Sequence, residues 1–244
     1  YNHYQAGHLD SALLHYRFYN LLERELSISS PQNFDFKTRV AGSLQLIGSI
    51  YDNQEKYDSA LYYYLEYYKI SKEILEANSS HVNSKRNFSL SHQFLGLTYQ
   101  ALGENDSALI YLLEFHHLAK GLFEQSPAQV EYKFRLAGSY FNLGVLYKDL
   151  LLFKQAKKNL DLGREMFESL CVTSPDNKEY KYMLVKANHE MGLLMLEKPQ
   201  SLVQAREHLE KAEKLLSDLL TTFQDNSDYK ERLMDIQSVI KELD

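Results

Sequence analysis

A repeat with a period of 48 residues constrains this chain more than any other feature of its sequence. Four glycines follow one another at steps of 48 residues: Gly48, Gly96, Gly144 and Gly192. Alanines and lysines keep the same period with a last step of 49: Ala12, Ala60, Ala108, Ala156 and Ala205, and Lys37, Lys85, Lys133, Lys181 and Lys230. Such a period predicts an array of similar units that stack on one another. The extra residue indicates a longer turn at residues 197–201.

Each unit is predicted to contain two helices. In residues 36–53 the apolar or small positions recur at helical steps: Val40, Leu44, Ile47, Gly48 and Tyr51. In residues 57–78 the corresponding face consists of Ala60, Tyr64, Tyr67, Ser71 and Leu75. Polar turns separate the helices, at residues 54–56 and again at residues 173–177. No β-branched alternation competes with this pattern.

We therefore predict an all-α solenoid of stacked antiparallel helix pairs, as a single array over residues 1–244. Its predicted parts are a partial unit at 1–30, full units at 31–78, 79–126, 127–174 and 175–223, and a capping helix at 224–244. The repeat pattern places Tyr1 inside a helix, so a fragment of a longer protein is expected.

The repeated glycines predict close helix crossings. Glycine inside a helix costs about 1 kcal/mol relative to alanine. Its recurrence at one position indicates that two helix backbones approach there, with Gly48 against the Ala60 region of the partner helix.

Five tyrosines crowd the segment LYYYLEYYKI at residues 61–70. Tyr64, Tyr67 and Tyr68 are predicted to face neighbouring helices, whereas Tyr62 and Tyr63 are predicted to point elsewhere. An aromatic cage for a cationic ligand is the alternative. Half-buried packing explains the segment with fewer assumptions.

Composition and motifs exclude several classes of function. The net charge is −6 and no basic run occurs, which argues against nucleic-acid binding. The single cysteine, Cys171, cannot form a disulfide within one chain and is predicted to be a buried structural thiol. No apolar stretch is long enough for a spanning helix, so no membrane association and a cytoplasmic location are expected. The adjacent histidines His116 and His117 point about 100° apart and do not make a metal site. No enzyme activity and no cofactor are expected.

Three segments resemble tetratricopeptide repeats: LIGSIY (46–51), FLGLTY (94–99) and NLGVLY (142–147). Each is followed by one of the repeated alanines, Ala60, Ala108 or Ala156. The usual unit has 34 residues, and the 48-residue unit is similar to long variants found in bacterial multidomain signalling proteins. The resemblance implies a right-handed superhelix. It also implies that a protein or peptide segment binds in a concave groove lined by the first helix of each unit.

The groove residues implied by the resemblance lie three before, one after and four after each repeated glycine. They are Gln45, Ser49, Asp52, Gln93, Leu97, Gln100, Phe141, Val145, Lys148, His189, Leu193 and Leu196. They contain no basic row, and they suit a neutral, partly apolar segment held by glutamine side chains. The alternative is that these residues simply face water or an adjacent turn of the superhelix.

A second candidate surface lies on the second helices of two units. Later units carry charges at the positions of Leu61, Leu65, Leu109 and Leu113. These leucines are therefore predicted to form an accessory surface for self-association or for another domain of the parent chain. Deeper burial between the two units is the alternative.

The expected function is that of a protein-interaction module. The alternative is a regulatory or sensor arm of a larger multidomain enzyme, such as a caspase-like protease or a signalling NTPase.

Overall fold

A computed structural model describes residues 9–30, 33–79, 82–197 and 201–243, and these residues form helices joined by short turns, with no strand among them. The helices in chain order are α1 (Leu9–Ser29), α2 (Phe34–Asn53), α3 (Tyr57–Ala77), α4 (Val82–Ala101), α5 (Asn105–Gln125), α6 (Val130–Asp149), α7 (Phe153–Thr173), α8 (Lys178–Leu196), α9 (Leu202–Thr222) and α10 (Ser227–Lys241). The predicted all-α architecture of antiparallel helix pairs is confirmed. The chain also divides into two compact units that are larger than the 48-residue repeats, the first up to Leu118 and the second from Ala119 onward. From here on, the first unit and the second unit mean these two halves of the chain.

The boundaries predicted for the two helices of the first full repeat agree with the structure to within two residues, whereas α10 is three residues shorter at each end than the predicted capping helix. Helix α2 spans Phe34–Asn53 and α3 spans Tyr57–Ala77. Asparagines cap several first helices: Asn33 accepts a hydrogen bond from the Asp35 amide, and Asn177 accepts from two amides of α8. An N-terminal cap of this kind satisfies backbone donors that the helix itself leaves free. The predicted longer turn falls partly on residues 198–200, outside the described residues.

The turns between the two helices of a unit repeat at the level of backbone conformation. Glu55, Gly103 and Leu151, 48 residues apart, all have positive φ angles, of 57°, 77° and 59°. In each turn the residue after them donates its amide to a carbonyl near the end of the first helix, at 2.8–2.9 Å. The left-handed conformation therefore ends α2, α4 and α6 in the same way. Only one of the three turns uses glycine for it.

The repeated glycines lie at close crossings of the two helices of a unit. A Cβ atom at Gly144 would stand 2.7 Å from Leu160 Cγ and 3.0 Å from the Leu160 backbone nitrogen. At Gly48 the same position would meet the Tyr64 ring at 2.5 Å. The predicted close approach is confirmed. The contacted residue lies one helical turn after the repeated alanine, which is Ala60 or Ala156.

The tyrosine-rich segment packs within the first unit. Tyr64 and Tyr67 are buried, and their hydroxyls donate to Ser49 Oγ at 3.2 Å and to the Asn87 carbonyl at 3.0 Å. Tyr62 is 62% exposed, as predicted. The prediction for Tyr63 was wrong, because its ring stacks on Tyr51 of α2 at a centroid distance of 5.5 Å. A cage is not needed to explain the segment.

The last helix differs from the other first helices on its free side. Tyr229 and Ile236 of α10 are buried against the preceding helices. The residues that correspond to Ala41, Leu44 and Gly48 of α2 are Met234, Gln237 and Lys241, and all three are exposed. An end helix of a repeat array needs a polar free face, and the capping role of α10 stays a prediction.

Candidate functional site

In the first unit, the implied groove residues remain partly accessible on α2 and α4. Leu97 is 37% exposed. The others are half-buried: Gln45, Ser49, Asp52, Gln93 and Gln100. Ser49 accepts the hydrogen bond from Tyr64, so its side chain is held by the core beneath it. This row, named the α2/α4 row, offers amide and carboxylate groups around one exposed leucine.

Asp52 is the least compensated member of the α2/α4 row. Burial raises the pKa of its carboxyl group above the ordinary value. Within the described part of the chain, no cation forms an ion pair with it. A carboxylate that is half-buried without a partner lowers the stability of the folded chain in its ionised form.

In the second unit the structure corrects two of the implied groove residues. Phe141 is only 5% exposed and belongs to the core cluster that also contains Leu184 and Met191. His189 is 3% exposed. Neither side chain lines an open surface. Helix α8 packs against α6 and covers Phe141. Arg232 and Asp235 of α10 lie against His189. Phe141 is therefore a core residue and not an accessible aromatic anchor.

The remaining implied groove residues of the second unit are engaged in contacts within it. Lys148 pairs with Glu190 across α6 and α8. Val145 and Leu196 pack against the core cluster, and Leu193 is half-buried. The second unit thus offers few free groups at these positions.

The buried His189 lies among charged groups at the end of the second unit. Its Nε2 stands 3.6 Å from a carboxylate oxygen of Asp235, and its Nδ1 stands 3.5 Å from Arg232. Burial is the largest cause that lowers the pKa of His189, and the Glu190 and Asp235 carboxylates oppose it. The imidazole of His189 is therefore uncharged at neutral pH and acts as a packing group.

The predicted accessory surface is divided by the structure. Leu61 and Leu65 are half-buried and pack against a core cluster of the first unit that contains Tyr64 and Leu95. Leu109 is also half-buried, whereas Leu113 is 44% exposed beside Ile110, which is 67% exposed. The packing of Leu61 and Leu65 favours the buried alternative for α3, and an accessory contact at α5 stays a prediction.

We expect Leu65→Glu to lower the free energy of unfolding by roughly 1–3 kcal/mol, because the carboxylate would displace a packed apolar side chain. We expect Leu113→Glu to change it by less than about 0.5 kcal/mol, because that side chain is largely in water. Thermal melts measure both, and light scattering tests whether Leu113→Glu reduces self-association. Equal losses of stability would contradict the packing described.

Helix α1 carries an apolar solvent-facing side that the sequence analysis did not identify. Leu14, Phe18, Leu21 and Ile28 are 61–80% exposed. The corresponding positions are Tyr62, Glu66, Lys69 and Glu76 in α3, and Glu207, Lys211, Lys214 and Thr221 in α9. We name the four residues of α1, Leu14, Phe18, Leu21 and Ile28, the outer stripe. Aligning the second helices by the 48-residue period would have revealed it.

A separate side of α1 is exposed, although the corresponding side of α3 is buried against neighbouring helices. Tyr19, Leu22 and Leu26 are 40–44% exposed. In α3 the residues corresponding to Tyr19 and Leu26 are Tyr67 and Ile74, which are buried. Among the described residues, no first helix precedes α1 to cover this side, which we name the pairing face.

Metal-binding groupings do not emerge among the described residues. No group of three or more His, Cys, Asp or Glu side chains has a metal-binding arrangement there. Cys171 is half-buried rather than buried, and burial raises the pKa of its thiol, which keeps it protonated. None of the helices described has the length and apolar character needed to cross a membrane.

Comparison with known proteins places the fold but no family. No protein-family model matches this chain, and no curated protein matches it. The solved structure of BtubC (BKLC) from P. vanneervenii is similar over 98% of this chain and 89% of that chain, with 15% identity and a TM-score of 0.61. At this identity the likeness concerns the fold alone, which is an array of stacked helix pairs.

Two further structures match with lower scores. TTC0263, a thermophilic TPR protein of Thermus thermophilus, covers 81% of this chain and 98% of its own, with 14% identity and a TM-score of 0.37. The Cut9–Hcn1 hetero-tetramer of the APC/C covers 94% of this chain and 48% of that chain, with 17% identity and a TM-score of 0.25.

Proposed function

We propose that this chain is a protein-interaction module and that the α2/α4 row binds an extended or helical segment of a partner protein. The uncompensated carboxylate of Asp52 is the observation that carries the proposal. A half-buried charge without a partner lowers stability, and such costs are typical of functional sites. A donor supplied by a bound segment, such as a lysine side chain or a backbone N–H, would offset it.

The neighbouring groups of the row suit the same role. The amides of Gln45 and Gln93 are each able to donate and accept hydrogen bonds, which suits recognition of a peptide backbone. Leu97 supplies an apolar contact in the same row. A segment with one donor near Asp52 and an apolar residue near Leu97 is the partner chemistry that this surface fits.

Replacing the charge at Asp52 separates stability from binding. Because burial raises the folded-state pKa, the folded chain bears the cost of the ionised carboxylate above that pKa, and the cost disappears below the unfolded value of about 4. We expect Asp52→Asn to raise the melting temperature at pH 7, and we expect the difference from the parent chain to vanish as the pH falls below about 4. Melting curves at both pH values measure it.

The same substitution should weaken partner binding by about tenfold, because a charge-assisted hydrogen bond is lost. The partner is first trapped with a photoreactive phenylalanine analogue at position 97, and position 154, on the exposed Lys154 of α7, serves as the matched control. Crosslinks that form equally from both positions, or a trapped partner whose affinity is unchanged by Asp52→Asn, would refute the proposed site.

The second candidate function is a regulatory or sensor arm of a larger enzyme, in which another domain of the same chain would cover the exposed Tyr19, Leu22 and Leu26. The sequence of the parent gene beyond residues 1 and 244 tests this candidate. A protease or NTPase domain there would support it, and its absence would favour an independent adaptor.

A further inference from the structure

A trough runs between α1 and α3 on a different side of α2 from the α2/α4 row. Two adjoining cavities of about 340 and 330 Å³ share Arg24 and Glu66 as lining residues. Their floor is formed by Val40, Leu44 and Ile47 of α2. On an ideal helix these three positions lie about 140° around α2 from residues 45, 49 and 52. The trough is therefore a separate surface from the proposed peptide row.

The walls of the trough carry an excess of positive charge. Arg24 of α1 and Lys69 of α3 both pair with Glu66, at 3.5 and 3.1 Å. Lys37 is balanced by Glu73 at 3.2 Å. Arg17 donates a hydrogen bond to the Tyr51 hydroxyl, which carries no charge. One carboxylate thus serves two cations at the centre, and a further cation stands nearby, in a chain whose net charge is −6.

The rim of the trough is apolar on the side of α1. Leu21 and Ile28 line the two cavities and are 61% and 80% exposed. Leu14 and Phe18 continue this apolar surface outward along the outer stripe. Of the corresponding positions on α3, α5, α7 and α9, only Val172 of α7 is apolar, so the two rim residues are apolar together on α1 alone. Exposed apolar surface of this extent marks interaction sites.

We propose that the trough between α1 and α3 binds an acidic amphipathic helix of a partner protein. Its apolar side would pack on Leu21 and Ile28, and its carboxylates would pair with Arg17, Arg24 and Lys69. The charge excess selects acidic over basic segments, since like charges facing each other across an interface oppose binding. A lipid surface fits less well, because a flat bilayer reaches the outer stripe but not the cavities between the two helices.

A designed peptide tests the charge preference. The probe is a fluorescein-labelled 21-residue peptide with leucine at every third or fourth position and glutamate and alanine elsewhere, and its counterpart replaces each glutamate with lysine. By fluorescence anisotropy at low salt we expect the glutamate peptide to bind at least about tenfold more tightly than the lysine peptide. Equal affinities, or no binding of the glutamate peptide, would overturn the proposal.

Charge reversal in the chain should reverse the preference. In the double variant Arg24→Glu with Lys69→Glu, the glutamate peptide should lose at least about tenfold in affinity and the lysine peptide should gain. The control variant Lys120→Glu with Lys154→Glu changes the net charge by the same amount on α5 and α7 and should leave both affinities unchanged. If the reversed variant fails to fold by circular dichroism, Arg24→Ala with Lys69→Ala replaces it, and the glutamate peptide should still weaken. A loss that the control variant reproduces would overturn the proposal.

The apolar rim and the rival surfaces are tested in the same assay. Leu21→Gln should weaken the glutamate peptide several-fold, whereas Val172→Gln, at a residue that is 83% exposed on α7, should not. Asp52→Asn should leave this affinity unchanged, which separates the trough from the α2/α4 row. Phosphatidylglycerol vesicles that bind the chain through Arg24 and Lys69 while the glutamate peptide does not would assign the trough to a lipid surface instead.

Discussion

Gly144→Ala should lower the free energy of unfolding by about 1–3 kcal/mol, and Gly144→Leu should lower it further. The added Cβ would stand 3.0 Å from the backbone nitrogen of Leu160 and 2.7 Å from its Cγ. A side-chain tip can rotate away, but the backbone of α7 moves only if the helix crossing opens. Chemical denaturation of the purified chain measures the loss.

Gly138→Ala in the same helix is the matched control. An added Cβ at Gly138 has no neighbouring atom within 4 Å among the described residues. The substitution should therefore stabilise the chain by up to about 1 kcal/mol, because alanine has the higher helix propensity. If the two variants shift stability in the same direction, the crossing at Gly144 is not as tight as described.

Phe141→Ala should lower the free energy of unfolding by about 3–5 kcal/mol. The ring is 5% exposed in the core of the second unit, and the ammonium group of Lys186 lies 5.4 Å from its centroid. Removing the ring leaves a cavity between α6 and α8 that the surrounding helices refill only in part. Denaturant titration followed by circular dichroism measures the effect.

Phe18→Ala provides the comparison for a phenylalanine in water. Its side chain is 62% exposed, so its truncation should change stability by less than about 0.5 kcal/mol. A Phe141→Ala variant that keeps its full stability and only loses partner binding would restore Phe141 as a surface anchor. The same measurement on Gln93→Ala, at a half-buried position, should show little loss.

Local periodicity carried most of the information about the helices. The 48-residue spacing of Gly48 and Gly144 predicted that two helices approach closely at these glycines. The structure confirms this, because an added Cβ at either position would clash with the partner helix. The boundaries of α2 and α3 followed from the apolar pattern and from the turn at residues 54–56. These features depend on residues close together in the chain, so reasoning from the sequence reaches them.

Contacts between helices decided what the sequence left open. Phe141 and His189 share their helical phase with the partly accessible Gln45 and Gln93. Phe141 is buried because α8 packs against α6, and His189 is buried where α10 lies against it. The helical position of Tyr63 predicted that it points away from the neighbouring helices. In the structure its ring stacks on Tyr51 of α2.

The trough between α1 and α3 has the same origin. Arg24 and Lys69 are 45 residues apart, and their shared use of Glu66 exists only after both helices pack on α2. The sequence by itself determined the helices, their repeat and the close crossings, because these follow from local spacing. Which faces stay open and which charges meet was decided by the tertiary structure, because burial and ion pairing depend on neighbours that are distant in the chain.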